Sequence, residues 1–298
     1  MSEETKTINW ACLSSFILKI IALVTMTIDH VGFILQMNVG GNYVPAIIMR
    51  YVGRIALPLF CFMIAEGAVH SKKPGNYLLR LGIMGTIIST AMIVVEYAPI
   101  FDGFSIRGYG NIYVDLILGA SAILLLRSKK WYLKILVIIP IAVAVLSFVV
   151  TCLENTGTIL IHWYPYFLRG QLGIYAVGMI IGFYVIRYLK DIFLQSYSEK
   201  SGIPVESLEG TNVERYALNI FSFGVVTILT VVLFVVSLVI PQDIIFWQRG
   251  IQNAAIIGGA FLLLYSGKRG YNAKWFQYGS YLYYPIHLLV IFGIGLLL

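Results

Sequence analysis

Runs of roughly 20 apolar residues, the length an α-helix needs to cross a bilayer, recur along the whole chain and are separated by short polar segments. On that criterion the chain is expected to hold about nine membrane-spanning helices, near 16–37, 46–69, 77–97, 112–126, 132–152, 167–188, 217–240, 248–266 and 276–297. The fourth run is short for a span and reads as tilted or partly re-entrant. No repeat period, Gly/Ser linker or composition shift divides the chain, so residues 1–298 are expected to form one all-α polytopic domain. Its longest polar interruption, 189–216, is expected to be a loop. The opening Met1–Trp10 carries Glu3 and Glu4 but no basic n-region, and no small-residue cleavage site follows the first run. The first span is therefore expected to stay in the mature protein.

Composition agrees with that pattern. Of 298 residues, 59% are hydrophobic and 12% charged, against roughly 45–50% and 25% in soluble proteins. A net charge of +7 raises the question of nucleic acid, but the basic residues are scattered among short loops instead of forming one stripe, which argues against that partner. Lys72, Lys73 and Arg80 follow the second span; Arg127, Lys129, Lys130 and Lys134 follow the fourth. Arg187, Lys190, Lys200 and Arg215 flank 189–216, and Lys268, Arg269 and Lys274 follow the eighth. The alternate segments carry only Arg50, Arg54, Arg107, Arg169 and Arg249, together with Asp102, Glu154 and Asp243. By the positive-inside rule the first set faces the cytoplasm. The expectation is a multi-pass protein of the cell (cytoplasmic) membrane, amino terminus inside and carboxyl terminus outside. Cys12, Cys61 and Cys152 show no CxxC spacing and are expected to be small buried residues, neither bridges nor metal ligands.

Against this apolar background the ionisable residues stand out. The first span carries Lys19, Asp29 and His30, each costing several kcal/mol at membrane depth unless paired or facing a wet cavity. Eleven helical steps of about 100° bring His30 back to within roughly 20° of Lys19, about three turns away. Asp29 lies about 100° further round, where it can orient or charge-balance the imidazole. The alternative is a packing pair inside a helix bundle. In the second span Arg50 and Arg54 share a face one turn apart, and Pro58 is expected to kink the helix. A guanidinium there suits an anionic or oxyanionic partner, or a structural salt bridge to Asp29 or Asp115. With the expected topology His30 lies roughly 18 Å from the cytoplasmic edge and Arg54 roughly 13 Å from the outer edge. Asp115, Arg169 and His287 fall in the same layer. Glu66 reads as a snorkelling residue or as a partner of Arg80. The donor-rich turn with Lys72, Lys73 and Arg80 is suited to the phosphates of a nucleotide-bearing donor, or simply marks a cytoplasmic loop; no phosphate-loop motif accompanies it. His162-Trp-Tyr-Pro-Tyr166 reads as an interfacial aromatic belt.

The sequence also resembles a known family. Leu18-Lys-Ile-Ile-Ala-Leu-Val-Thr-Met-Thr-Ile-Asp-His30, Gly53-Arg-Ile-Ala-Leu-Pro-Leu-Phe60, Glu66-Gly67, Tyr77-Leu-Leu-Arg80, Asn111-Ile-Tyr-Val-Asp-Leu116, Gly173-Ile-Tyr175 and Tyr284-Pro-Ile-His-Leu288 look like the TraX family, named for the conjugation protein that N-acetylates the pilin amino terminus. More distantly the chain is similar to bacterial and lysosomal membrane acyltransferases, which share a basic residue, ten intervening residues and a histidine, here Lys19 and His30. The resemblance implies acetyl-CoA as donor, a histidine base and transfer across the membrane. In that picture His30 is the general base, Asp29 orients it and Arg54 stabilises the oxyanion or holds the acceptor. Lys19, Lys72, Lys73 and Arg80 serve the donor, while Arg50, Asp115, Arg169 and His287 line the acceptor side. No metal is implied. The acceptor would be a peptide amino terminus, a glycan or another envelope molecule. A rival class is a proton-coupled transporter or flippase using His30, Asp29, Arg54 and His287 as a relay, although the internal symmetry common in transporters is not visible. A non-catalytic envelope scaffold would leave the buried charges unexplained.

Overall fold

The computed structural model describes residues 10–97, 110–155, 164–239 and 250–295. Glu3, Glu4, Asp102, Arg107, His162, Asp243 and Arg249 lie outside the described residues. The described chain is helical, with α1 Ser15–Val39, α2 Val44–Gly53, α3 Ala56–His70, α4 Pro74–Tyr97, α5 Ile112–Leu126, α6 Trp131–Ile135, α7 Ile138–Asn155, α8 Ile174–Ser201, α9 Val205–Leu208, α10 Asn212–Val239, α11 Ala255–Leu263 and α12 Lys274–Gly295. Short 3₁₀ turns at Tyr166–Leu168 and Ile251–Ala254 precede α8 and α11. Among the described residues, five segments are long and apolar enough to cross a membrane: Ser15–Val39, Val44–His70, Pro74–Tyr97, Trp131–Glu154 and Asn212–Val239. Ile112–Leu126 and Ile251–Leu263 are apolar but shorter.

The helices differ from the expected spans in ways the backbone explains. The run 46–69 is two helices, α2 and α3, because Pro58 has no N–H to give to the carbonyl of Arg54, four residues earlier. The chain tightens there instead, with the N–H groups of Arg54 and Ile55 donating to Tyr51 O and Val52 O, each at 3.2 Å. The sixth helix starts at Ile174, after Gly173 in a left-handed conformation at φ +52°. The expected loop 189–216 is mostly helix: 189–201 contains no Gly or Pro, so α8 continues to Ser201 and ends where Gly202, at φ +71°, donates its N–H to Ser198 O. Pro204 and α9 then lead into α10. Among the cysteines, Cys61 is buried but Cys12 is exposed, against expectation. It precedes α1, between the buried Ala11 and the half-buried Leu13, with its own side chain turned outward, and Cys152 is half-buried.

The core is built from Leu18 and Ala22 of α1, Leu59 and Ala65 of α3, Leu116 and Ala120 of α5, Ala176, Met179 and Ile180 of α8, Val226 of α10 and Leu262 of α11. Small residues let these backbones close on one another, as membrane helices commonly do. A Cβ on Gly258 of α11, for example, would lie 2.6 Å from the carbonyl oxygen of Ile55 at the α2–α3 break. The outward faces keep large apolar side chains exposed, including Ile138 and Ile139 on α7 and Val231, Val232 and Val235 on α10. A lipid environment solvates such faces and water does not.

Two pairings position the site. The α1 and α12 helices run parallel, matched by Lys19 with Phe276, Thr27 with Tyr283, His30 with His287 and Asn38 with Gly295. The start of α1 is tied to the segment before α12, since Ser15 N–H and Phe16 N–H donate to Lys268 O and Arg269 O at 2.9 and 3.1 Å.

Candidate active site

Arg54 sits at the α2–α3 break, where the helix is open and its side chain turns to α1. Asp29 of α1 meets two guanidinium groups: Arg50 Nη1 donates to Oδ2 at 2.7 Å, and Arg54 Nη2 donates to Oδ1 and Oδ2 at 2.5 and 2.6 Å. All three side chains are 14% exposed. This closeness requires glycine opposite, because a Cβ on Gly53 would fall 2.1 Å from the Cβ of Asp29. Of the two partners expected for Arg54, Asp29 is therefore the one in contact. Arg54 also donates through Nε to Arg50 O and through Nη1 to Gln252 Oε1, each at 3.3 Å. All three nitrogens of the Arg54 guanidinium are thus engaged.

The imidazole of His30 has a different neighbour. Its Nδ1 lies 3.0 Å from Nε2 of His287, and His287 Nδ1 lies 2.9 Å from the carbonyl oxygen of Tyr283. Tyr283 stacks on the His287 ring at 5.0 Å and 11°, and Tyr284 stands edge-on to both histidines. Asp29, expected to orient the imidazole, has its oxygens on the two arginines instead, a consequence of the break that brings Arg54 within reach.

His30, Asp29 and Arg54 line one cavity of about 110 Å³, closed by Leu57 and Phe60 of α3, Tyr113 of α5, Gln171 and Leu172 of the turn before α8, and Ser280 and Tyr284 of α12. The other expected residues lie elsewhere. Asp115 is fully buried and accepts from the N–H groups of Leu172 and Gly173 at 2.8 and 3.1 Å. Arg169 forms a two-pronged pair with Glu154 at 2.5 and 2.9 Å. Both hold the 169–173 turn, which presents Gln171 and Leu172 to the cavity, and neither is among the residues that line it. They stand behind its wall. Lys72, Lys73 and Arg80 are exposed around the α3–α4 turn. Lys19 is half-buried over the Phe276 ring at 5.6 Å and does not line the cavity. Glu66 pairs with Arg187 of α8 and lies 3.6 Å from His70, not with Arg80. Wall residues that escaped sequence reasoning include Gln171 and Ser280, and also Tyr113 and Tyr284, although the last two stand inside the Asn111–Leu116 and Tyr284–Leu288 motifs. Gln252, the partner of Arg54, carried no signal.

Comparison with known proteins agrees with the motif reading. The chain is 31% identical over 137 residues to a probable fimbrial assembly protein FimC, serogroup H1, of Dichelobacter nodosus, covering 45% of this chain and 55% of that protein. It is 37% identical over 76 residues to the uncharacterized protein RP591 of Rickettsia prowazekii, covering 26% of this chain and 27% of that one. The chain thus spans about half or less of the length of these curated relatives. No solved structure matches. The TraX family profile, described as TraX protein, matches residues 14–186. That region covers more than half of the chain and includes His30, Asp29 and Arg54, and the chain belongs to the TraX family.

Proposed function

We propose that this protein is a membrane-embedded acetyltransferase of the cell (cytoplasmic) membrane, a single multi-pass domain crossing about nine times with its amino terminus inside and carboxyl terminus outside. It moves an acetyl group from cytoplasmic acetyl-CoA to an amine or hydroxyl at the outer side. The acceptor is an envelope molecule, and a peptide amino terminus fits both the family's namesake and the fimbrial relative. The observation that carries the reading is the convergence of His30, Asp29 and Arg54 on one cavity at a helix break. A break inside an apolar span is sustained where it lines a cavity, and a base beside a fixed ion pair is the equipment of proton abstraction.

The chemistry needs little else. A nitrogen of His30 takes the proton of the acceptor as its N or O attacks the thioester carbonyl. The guanidinium of Arg54, which lines the cavity, stabilises the oxygen on which negative charge gathers. The carbon–sulfur bond then breaks, the acetyl group stays on the acceptor, and the proton held by His30 passes to the leaving thiolate. Asp29 keeps Arg54 and Arg50 in place and offsets one of their two positive charges. Lys72, Lys73 and Arg80, on the exposed α3–α4 turn, meet the phosphates of the donor, together with Lys19 of α1.

The experiment is incubation of the purified protein in lipid discs with radiolabelled acetyl-CoA and peptide or glycan acceptors. Label transferred by the wild type and lost in His30→Ala supports the reading; no saturable binding of CoA and no label on any acceptor would leave the proton-relay transporter in its place.

A further inference from the structure

The contact between the two histidines fixes more than proximity. A carbonyl oxygen only accepts, so at His287 the 2.9 Å contact between Nδ1 and Tyr283 O requires the hydrogen to be on Nδ1. A neutral imidazole with hydrogen on Nδ1 has its lone pair on Nε2. That lone pair is 3.0 Å from His30 Nδ1, so His30 must carry its own hydrogen on Nδ1 and donate it. The lone pair of His30 is thereby placed on Nε2, the nitrogen not used by His287. Of the two rings only His30 is among the residues that line the cavity.

The second ring is itself held from both helices. Thr27 Oγ1 donates to Leu23 O at 2.9 Å, which leaves its lone pair to accept from the Tyr283 phenol at 2.6 Å. Tyr283 then lies flat against His287, which is 6% exposed, and His287 closes the circuit on His30, three residues beyond Thr27 on the same helix. Four side chains, two from each of a pair of parallel helices, make a ring that leaves one imidazole nitrogen outside it.

We propose that His287 is a positioning residue of the transfer reaction: it selects the tautomer of His30 that presents Nε2 as the base, with Tyr283 as its brace. This rests on the acetyltransferase reading for its consequence, but the tautomer arrangement stands on the geometry alone. When Nε2 takes the acceptor's proton, the bond from His30 Nδ1 to His287 stays in place and spreads the positive charge over two rings, the task a carboxylate performs in a serine-type triad. Here the carboxylate is already occupied by two arginines.

The test joins a spectroscopic and a kinetic measurement on the full chain in lipid discs. The sequence has four histidines, so ¹⁵N-histidine spectra can be assigned with single His→Gln variants. The wild type should show both His30 and His287 with protonated Nδ1 and bare Nε2. In His287→Leu the His30 signal should shift toward mixed tautomers, with kcat falling about 10–100-fold, less than the 10²–10⁴-fold contribution of the base itself, and with the KM for acetyl-CoA unchanged. His287→Gln, which restores an acceptor oxygen, should recover part of both. Wild-type kcat and an unshifted His30 signal in His287→Leu would overturn the proposal while leaving acetyl transfer intact. The predicted spectra in a protein that transfers no acetyl group would keep the tautomer arrangement and remove the reaction it was joined to.

Discussion

Among the described residues, two arginine–carboxylate clusters make a contrast: Arg169 with Glu154 beside Asp115, and Arg50 and Arg54 with Asp29, the second of which lines the cavity next to His30. Glu154 and Arg169 are 6% and 7% exposed and clasp each other in two hydrogen bonds. Next to them, Asp115 spends its oxygens on backbone N–H groups at the turn before α8. Asp29, Arg50 and Arg54 form ion pairs of the same kind, yet Asp29 and Arg54 also line a cavity together with His30. A buried charge in a membrane protein is therefore not in itself a sign of chemistry. What separates the two clusters is what they hold: in the first, Asp115 fixes the 169–173 turn behind the wall, and in the second the ion pair stands at a helix break and lines a cavity together with His30.

That contrast is open to attack by substitution. The largest effect is expected at the cavity: His30→Ala should lower turnover about 10²–10⁴-fold, with the thermal midpoint of the solubilised protein little changed. A full loss of folded protein would place His30 with the structural cluster. In the closed cluster, Glu154→Gln strands a buried guanidinium and should destabilise the fold by about 3–5 kcal/mol, read as a large drop in melting temperature, while the turnover of the molecules that remain folded stays near wild type. Turnover lost without destabilisation would erase the distinction.

The sequence carried the second cluster better than the first. Lys19, Asp29 and His30 were visible as charges an apolar span does not tolerate idly, and Arg54 followed by the same reasoning. The break at Arg54 was half legible: Pro58 announces a disturbance, and the residue whose carbonyl it orphans is Arg54, yet the apolar pattern runs unbroken through 46–69 because both half-helices bury the same kind of side chain. Depth arithmetic set His30 and His287 at one level, but their contact depends on α1 and α12 packing side by side, and no periodicity encodes which helices are neighbours. The same gap explains Asp115 and Arg169, expected in the layer of the site and found behind its wall. Polar composition made 189–216 look like a loop although the absence of Gly and Pro from 189–201 was the better signal for a continued helix.

Smaller effects sharpen the comparison. Gly53→Ala puts a methyl group 2.1 Å from the Asp29 Cβ and should cost about 1–3 kcal/mol, as overpacking does. It should also lower turnover by pushing Asp29 away from Arg54, an effect absent from an equal insertion at a lipid-facing glycine. Neutralising Lys72, Lys73 and Arg80 together should raise the KM for acetyl-CoA several-fold with kcat nearly constant, the mark of lost uniform binding, and the difference from wild type should shrink as salt rises. A changed kcat with a constant KM would move those residues from donor binding to the reaction itself.

The measurement closest to the central claim follows the acetyl group directly. Purified protein in lipid discs, given radiolabelled acetyl-CoA and a peptide with a free amino terminus, should release CoA and label the peptide in equal amounts. His30→Ala should do neither at a comparable rate, and Glu154→Gln should do both in proportion to its folded fraction. Equal labelling by wild type and His30→Ala would contradict the account.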